Sequence, residues 1–230
     1  AEEGVVTLLH PMAAEMNLRD VGGLRTVDGG VIRPGRLYRS GRLDDLAPEA
    51  RRELVEALGI SEVVDLRQHQ SGHDGVGVTV HNLHLVAPGK TAVIDPEDTY
   101  DSVADWYLRL VTMGAESLRR IVELVATSPG ATLVHCHAGK DRTGSVVAVI
   151  LSAAGVADDE VARDYSTTGT IYGDSFLDSL PPKFSESNPE AIARFLAKLG
   201  ERYGSAAGFL EAAGVERRVL EEMRRRLVDG

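Results

Sequence analysis

The chain has 230 residues, 43% apolar and 26% charged, a globular balance that excludes wholesale disorder. No apolar run approaches the about 18 residues of a membrane-spanning helix, and the acidic start Ala1-Glu2-Glu3 is unlike a signal peptide. The expected location is therefore cytoplasmic, or secreted without a recognisable signal. With 35 acidic and 25 basic side chains, the net charge of −10 argues against nucleic acid or a broad anionic surface as partner.

In chain order, the first 45 residues carry short strand-like pieces at Val31-Ile32 and Leu37-Tyr38-Arg39, punctuated by Gly-rich turns. Pro48 opens a helix through about Leu58, with Leu54, Val55 and Leu58 as its apolar stripe. Ser61 to Leu66 reads as a buried strand and Val78 to Val86 as a second. Helices are predicted over about 101–112 and 114–127. A short buried strand follows at Ala131 to His135. Gly144 to Ala154 is a helix apolar almost all round, and so belongs in the core. Further helices are predicted over about 157–166, 189–199, 206–213 and 215–228. Strands joined by helices indicate an α/β fold, a central sheet flanked by helices with a helical C-terminal third. No linker divides the chain, so 1–230 is read as a single domain. Seven of the 11 aromatic residues lie between Tyr165 and Phe209. The weakly periodic stretch inside this region makes 165–187 either a surface loop or a lid over a site.

The informative segment is Leu133-Val134-His135-Cys136-His137-Ala138-Gly139-Lys140-Asp141-Arg142-Thr143-Gly144. It joins a buried strand to a buried helix. A tight loop there turns successive amide N–H groups inward, and the helix dipole adds positive potential, so the loop suits a tetrahedral oxyanion such as phosphate. Arg142 supplies a planar fork for two phosphate oxygens. The same field favours thiolate over thiol at Cys136, the one cysteine of the chain. A thiolate beneath phosphorus is an in-line nucleophile, and Thr143 can donate a hydrogen bond to its sulfur. The segment is not an ATP-binding loop, because Lys140 is followed by Asp141 rather than Ser or Thr. Cys136 alone also excludes an intrachain disulfide and any multi-Cys metal site.

His135 to Gly144 resembles the signature loop of the cysteine-dependent protein tyrosine phosphatase superfamily, and more narrowly its bacterial tyrosine and lipid phosphatases. Asn17-Leu18-Arg19-Asp20-Val21-Gly22-Gly23, Leu37-Tyr38-Arg39-Ser40-Gly41-Arg42-Leu43 and Val63-Val64-Asp65-Leu66-Arg67 match the same group. The resemblance implies a protein tyrosine phosphatase-like sheet and no cofactor or metal. It further implies hydrolysis of phosphomonoesters through a phosphocysteine on Cys136, with phosphate as product. His137, Ala138, Gly139, Lys140, Arg142 and Thr143 would bind the phosphate. Asp141 is the favoured general acid, with Asp95 and Asp98 as rivals. His135, Asp65 and Arg67 would support the loop. Arg19, Arg39 and Arg42 either approach the phosphate or lie on the surface.

The substrates implied are phosphotyrosine proteins or peptides, with extension to phosphoserine and phosphothreonine. Lys140 resembles the basic loop residue of phosphoinositide phosphatases, which extends the expectation to phosphoinositides. The competing reading is a module that binds phosphorylated partners without turnover. His69, His73, His81 and His84 lack the spacing of a metal site.

Overall fold

The computed structural model describes residues 15–68, 76–86, 102–178 and 189–230. Its strands are β1 (Arg19–Asp20), β2 (Val31–Ile32), β3 (Leu37–Ser40), β4 (Ile60–Asp65), β5 (Thr79–Asn82), β6 (Ala131–His135) and β7 (Val228–Asp229). Five form one sheet in the order β1-β3-β6-β4-β5, while β2 and β7 make a separate antiparallel pair. Within the large sheet only β1 runs antiparallel to its neighbour. The central strand β6 is buried throughout, as its apolar run requires of a parallel strand covered on both faces.

Side chains alternate across this sheet. Tyr38, Val63 and Leu133 join Leu54 and Val55 of α1 (Pro48–Ala57) in one apolar cluster. Leu37, Val64 and Val134 point the other way, into a larger cluster with α4 (Asp141–Ala153). The remaining helices are α2 (Val103–Met113), α3 (Ala115–Thr127), α5 (Asp158–Asp178), α6 (Pro189–Tyr203), α7 (Ala206–Ala212) and α8 (Arg217–Leu227). Every residue from Thr143 to Leu151 of α4 is buried. Its all-round apolarity therefore does mark a core helix, and α2, α5, α6 and α7 surround it. Each buried Val or Ile there contributes roughly 1.5–3 kcal/mol.

Several boundaries differ from expectation, three of them for a visible physical reason. The second strand stops at Asn82, opposite Asp65, because its partner β4 ends there. The last helix stops at Leu227, since Val228 and Asp229 leave it to pair with Ile32 and Val31. The helix expected to end near 166 continues as α5 to Asp178, broken only at Gly173, whose φ of 70° lies in the left-handed region. The inward face of this helix carries Asp164 and, in the extension, Thr168 and Tyr172, which meet polar groups. Hydrophobic periodicity is blind to such a face. Residues 179–187, the remainder of the lid segment, lie outside the described residues.

Candidate active site

The last residue of β6, His135, lies in register between Ser40 of β3 and Asp65 of β4. Cys136 therefore emerges at the C-terminal edge of the parallel strands, where open α/β sheets hold their ligands. The loop ends where Gly144 N donates to Lys140 O and α4 begins at Asp141. The free amides and dipole of the first turn of α4 face the loop. Cys136 is 3% exposed, and Gly139 N donates to its Sγ at 3.3 Å.

Three successive loop carbonyls are tied away from the sulfur. His137 O accepts from Arg42 N at 2.8 Å. Ala138 O accepts from Asn17 Nδ2 at 3.0 Å and from the Tyr172 hydroxyl at 2.9 Å. Gly139 O accepts from Arg39 Nη2 at 2.8 Å. In a trans peptide the N–H points opposite to the C=O. The amides of Ala138, Gly139 and Lys140 are thereby turned to the other side, as the Gly139–Cys136 contact shows. The result is a cradle of donors around the thiol.

Gly139 has a φ of 68°, and a Cβ there would lie 2.5 Å from Ser40 O. Gly139→Ala is expected to cost roughly 2–4 kcal/mol from left-handed strain and overpacking, or to distort the loop. A urea denaturation midpoint and a turnover rate both equal to wild type would show that the loop is not held this way.

Behind the cradle, Asp164 is buried between two arginines. Arg19 Nε meets its Oδ1 at 2.7 Å, and Arg39 pairs with Oδ2. Burial pushes the Asp164 carboxyl up, but Arg39 and Arg19 outweigh it and hold the group below the usual carboxylate range. Burial and the neighbouring Arg39 lower Arg19 to about 10. Arg19 also donates to Asn17 Oδ1, and so anchors the side chain that holds Ala138 O. Arg19 and Arg39 thus brace the loop from behind rather than facing a phosphate. Arg42 is half-exposed on the open side, with its Nε on Asp45 Oδ2 at 2.9 Å.

On the other flank, Arg67 Nε lies 3.0 and 3.1 Å from the two Asp65 oxygens. Asp44 Oδ1 accepts from Arg67 Nη2 at 3.2 Å. Burial pushes Asp65 up, but the Arg67 hydrogen bonds and His135 outweigh it and leave the carboxyl below its usual range. Leu66, between these residues, donates its N–H to His135 O at 3.0 Å and accepts from Arg142 Nη1 at 3.4 Å. His135 is fully buried, and its Nδ1 lies 3.3 Å from Cys136 O. A carbonyl can only accept, so this contact places the imidazole proton on Nδ1.

Asp141 Oδ1 accepts from Lys140 Nζ at 2.8 Å and from the Tyr107 hydroxyl at 2.6 Å. Lys140 is fully buried, so its ammonium is turned to Asp141 and not to the open side of the loop. Thr143 Oγ1 is buried without a hydrogen bond among the described residues, so the expected bond to Cys136 is not formed. His137 is exposed, and burial of part of its ring together with Arg42, Arg142 and Arg67 lowers its pKa, which favours the neutral imidazole. Tyr172 is pushed up to about 12 by burial and by the charge of Cys136. Met16, Arg42, His137, Ala138 and Tyr172 line an open cleft beside the cradle.

Asp95, Asp98, His69 and His73 lie outside the described residues. His81 pairs with Glu62 at 2.7 Å. Among the described residues no group of three or more His, Cys, Asp or Glu side chains could hold a metal ion, and no helix is long and apolar enough to cross a membrane.

Sequence reasoning did not single out Asn17, Asp44, Tyr107, Asp164 or Tyr172 as site residues. Asn17 opens one of the matched segments, and Tyr172 belongs to the aromatic-rich stretch. Tyr107 carried no signal beyond its place on an apolar helical face.

Comparison with known proteins agrees with this geometry. The tyrosine phosphatase family profile matches residues 10–229. The triple specificity protein phosphatase PtpB of Mycobacterium tuberculosis is 30% identical, over 90% of this chain and 95% of its own length. A candidate tyrosine-protein phosphatase of Cupriavidus necator is 34% identical, over 65% of this chain and 59% of its own. A tyrosine-protein phosphatase of Nostoc commune is 24% identical, over 81% and 71% respectively. A match across nearly the whole chain, together with a cysteine set in a cradle of amides, places this protein in the tyrosine phosphatase family.

Proposed function

We propose that this phosphatase acts through Cys136, Arg142 and Asp141 on phosphotyrosine, phosphoserine and phosphothreonine in proteins, and on phosphoinositides. The supporting observation is the Gly139 amide donated to the Cys136 sulfur, with Arg142 in the first turn of the helix that follows the loop. In the first step the sulfur forms a bond to phosphorus as the phosphorus–oxygen bond to the leaving group breaks. Asp141 gives its proton to the departing oxygen. The amides and Arg142 carry the equatorial oxygens of the transition state. In the second step water attacks phosphorus, the sulfur–phosphorus bond breaks, and Asp141 takes the proton from that water. The chain needs no cofactor for either step.

The wider substrate range is supported by the name of the mycobacterial relative, a triple specificity phosphatase. The cleft beside the cradle is polar, lined by Arg42 and His137 together with the carboxylates Glu15 and Asp45. Residues 1–230 form a single phosphatase domain in this reading. The lid assigned to 165–187 is supported in its first half by Tyr172, which reaches the loop carbonyl of Ala138.

Phosphate release from a phosphotyrosine peptide, a phosphoserine peptide and a short-chain phosphoinositide tests the proposal. Release from all three is expected, and failure on any one removes that substrate class. In Lys140→Ala the phosphoinositide rate should fall roughly tenfold more than the peptide rate, the effect of one charge-assisted hydrogen bond to a second phosphate. That contact requires Lys140 to leave Asp141. An unchanged ratio would leave Lys140 only as the partner of Asp141.

A further inference from the structure

Tyr107 lies on α2, remote in sequence from the signature loop, and is fully buried. Its hydroxyl donates to Asp141 Oδ1 at 2.6 Å and lies 2.6 Å from the hydroxyl of Tyr165 on α5. A phenol has one proton to give. With that proton committed to Asp141, the second contact must run from Tyr165 to the Tyr107 oxygen. The two phenols form a one-way chain ending on the carboxylate.

The Tyr107 ring is fixed from two sides. It makes edge contacts with Tyr165 at 6.1 Å and with Phe195 of α6 at 5.9 Å between ring centroids. Burial, reinforced by the charge of Asp141, pushes the Tyr107 phenol well above its usual value. It stays a donor throughout the working pH range. Lys140 Nζ also meets Oδ1, at 2.8 Å. Among the described residues both donors to Asp141 therefore fall on one oxygen, while the side chain remains 26% exposed.

We propose that Tyr107, backed by Tyr165, is a positioning residue that fixes Oδ1 of Asp141 so that Oδ2 carries the leaving-group proton. The inference rests on Asp141 being the general acid. Rotation about the Cβ–Cγ bond would otherwise exchange the two oxygens. A hydrogen bond to one of them from a rigid, buried phenol removes that freedom. α2 and α5 contribute to proton transfer without touching the substrate.

The test is kcat/KM for aryl phosphates of graded leaving-group basicity, from dinitrophenyl phosphate to phenyl phosphate. A good leaving group departs without a proton and a poor one needs it. Wild type should vary little along the series, and Asp141→Asn should fall steeply toward phenyl phosphate. Tyr107→Phe is expected to lose roughly tenfold on phenyl phosphate and little on dinitrophenyl phosphate. Tyr165→Phe keeps Tyr107 in place and removes only its backing donor, so it should show a smaller loss of the same pattern. It serves as well if Tyr107→Phe folds poorly by circular dichroism. An equal loss along the whole series in both phenylalanine variants, or no loss, with Asp141→Asn still steep, would overturn the positioning role alone. A flat series for Asp141→Asn would remove Asp141 as the acid, and the positioning role with it.

Discussion

Cys136→Ser should lose phosphate release by on the order of 10⁴-fold or more, while phosphopeptide binding persists. The two properties separate because they use different atoms. Binding draws on the loop amides, the N-terminus of α4 and Arg142, none of which the substitution removes. Turnover needs a nucleophile that is already anionic. A serine hydroxyl in the same cradle keeps its proton at neutral pH, where a cysteine thiol beside loop amides and a helix N-terminus can ionise. Phosphate release and calorimetric titration with a phosphotyrosine peptide read the two properties separately. Equal release by wild type and variant would exclude Cys136 as nucleophile. Binding without release by wild type itself would establish a module that captures phosphorylated partners.

The second large effect is expected from Arg142→Lys. The charge survives this change and the planar fork does not. An ammonium is a compact charge with three rotatable donors and cannot match two equatorial oxygens with a planar, parallel pair of N–H groups. Nor can it hold Leu66 O while facing the cradle, as the Arg142 guanidinium can through its separate nitrogens. Loss of a preorganised transition-state donor costs about 10²–10³-fold in kcat, and the loss should appear in kcat more than in KM. A variant within a few fold of wild type would show that charge alone suffices at this position.

The core of this site was legible because its information is local. The strand at 131–135, the loop and the apolar helix follow one another, so the position of Cys136 between a strand end and a helix start needs no tertiary knowledge. The support of the loop was far less legible. Asn17 is 121 positions from the carbonyl it holds, and Arg39 is 100 from its own. Asp44 reaches Arg67 across 23 positions. Arg19 and Arg39 lie in the interior because both pair with Asp164, a partner more than 120 positions away in the sequence. Buried polar networks leave no hydrophobic pattern, so neither the extension of α5 nor its polar inner face was visible. The pairing of β2 with β7 was hidden for a related reason: its partners lie at opposite ends of the described chain.

The two donors on Ala138 O carry a consequence for the order of assembly. Asn17 arrives from the beginning of the described chain and Tyr172 from α5, after the loop itself has been made. Local folding of β6 and α4 cannot supply either one. A growing or refolding chain therefore holds a cysteine before it holds a cradle, and catalytic competence comes with the last long-range docking steps rather than with the core. Regained turnover is thus a stricter measure of complete folding than regained helix content.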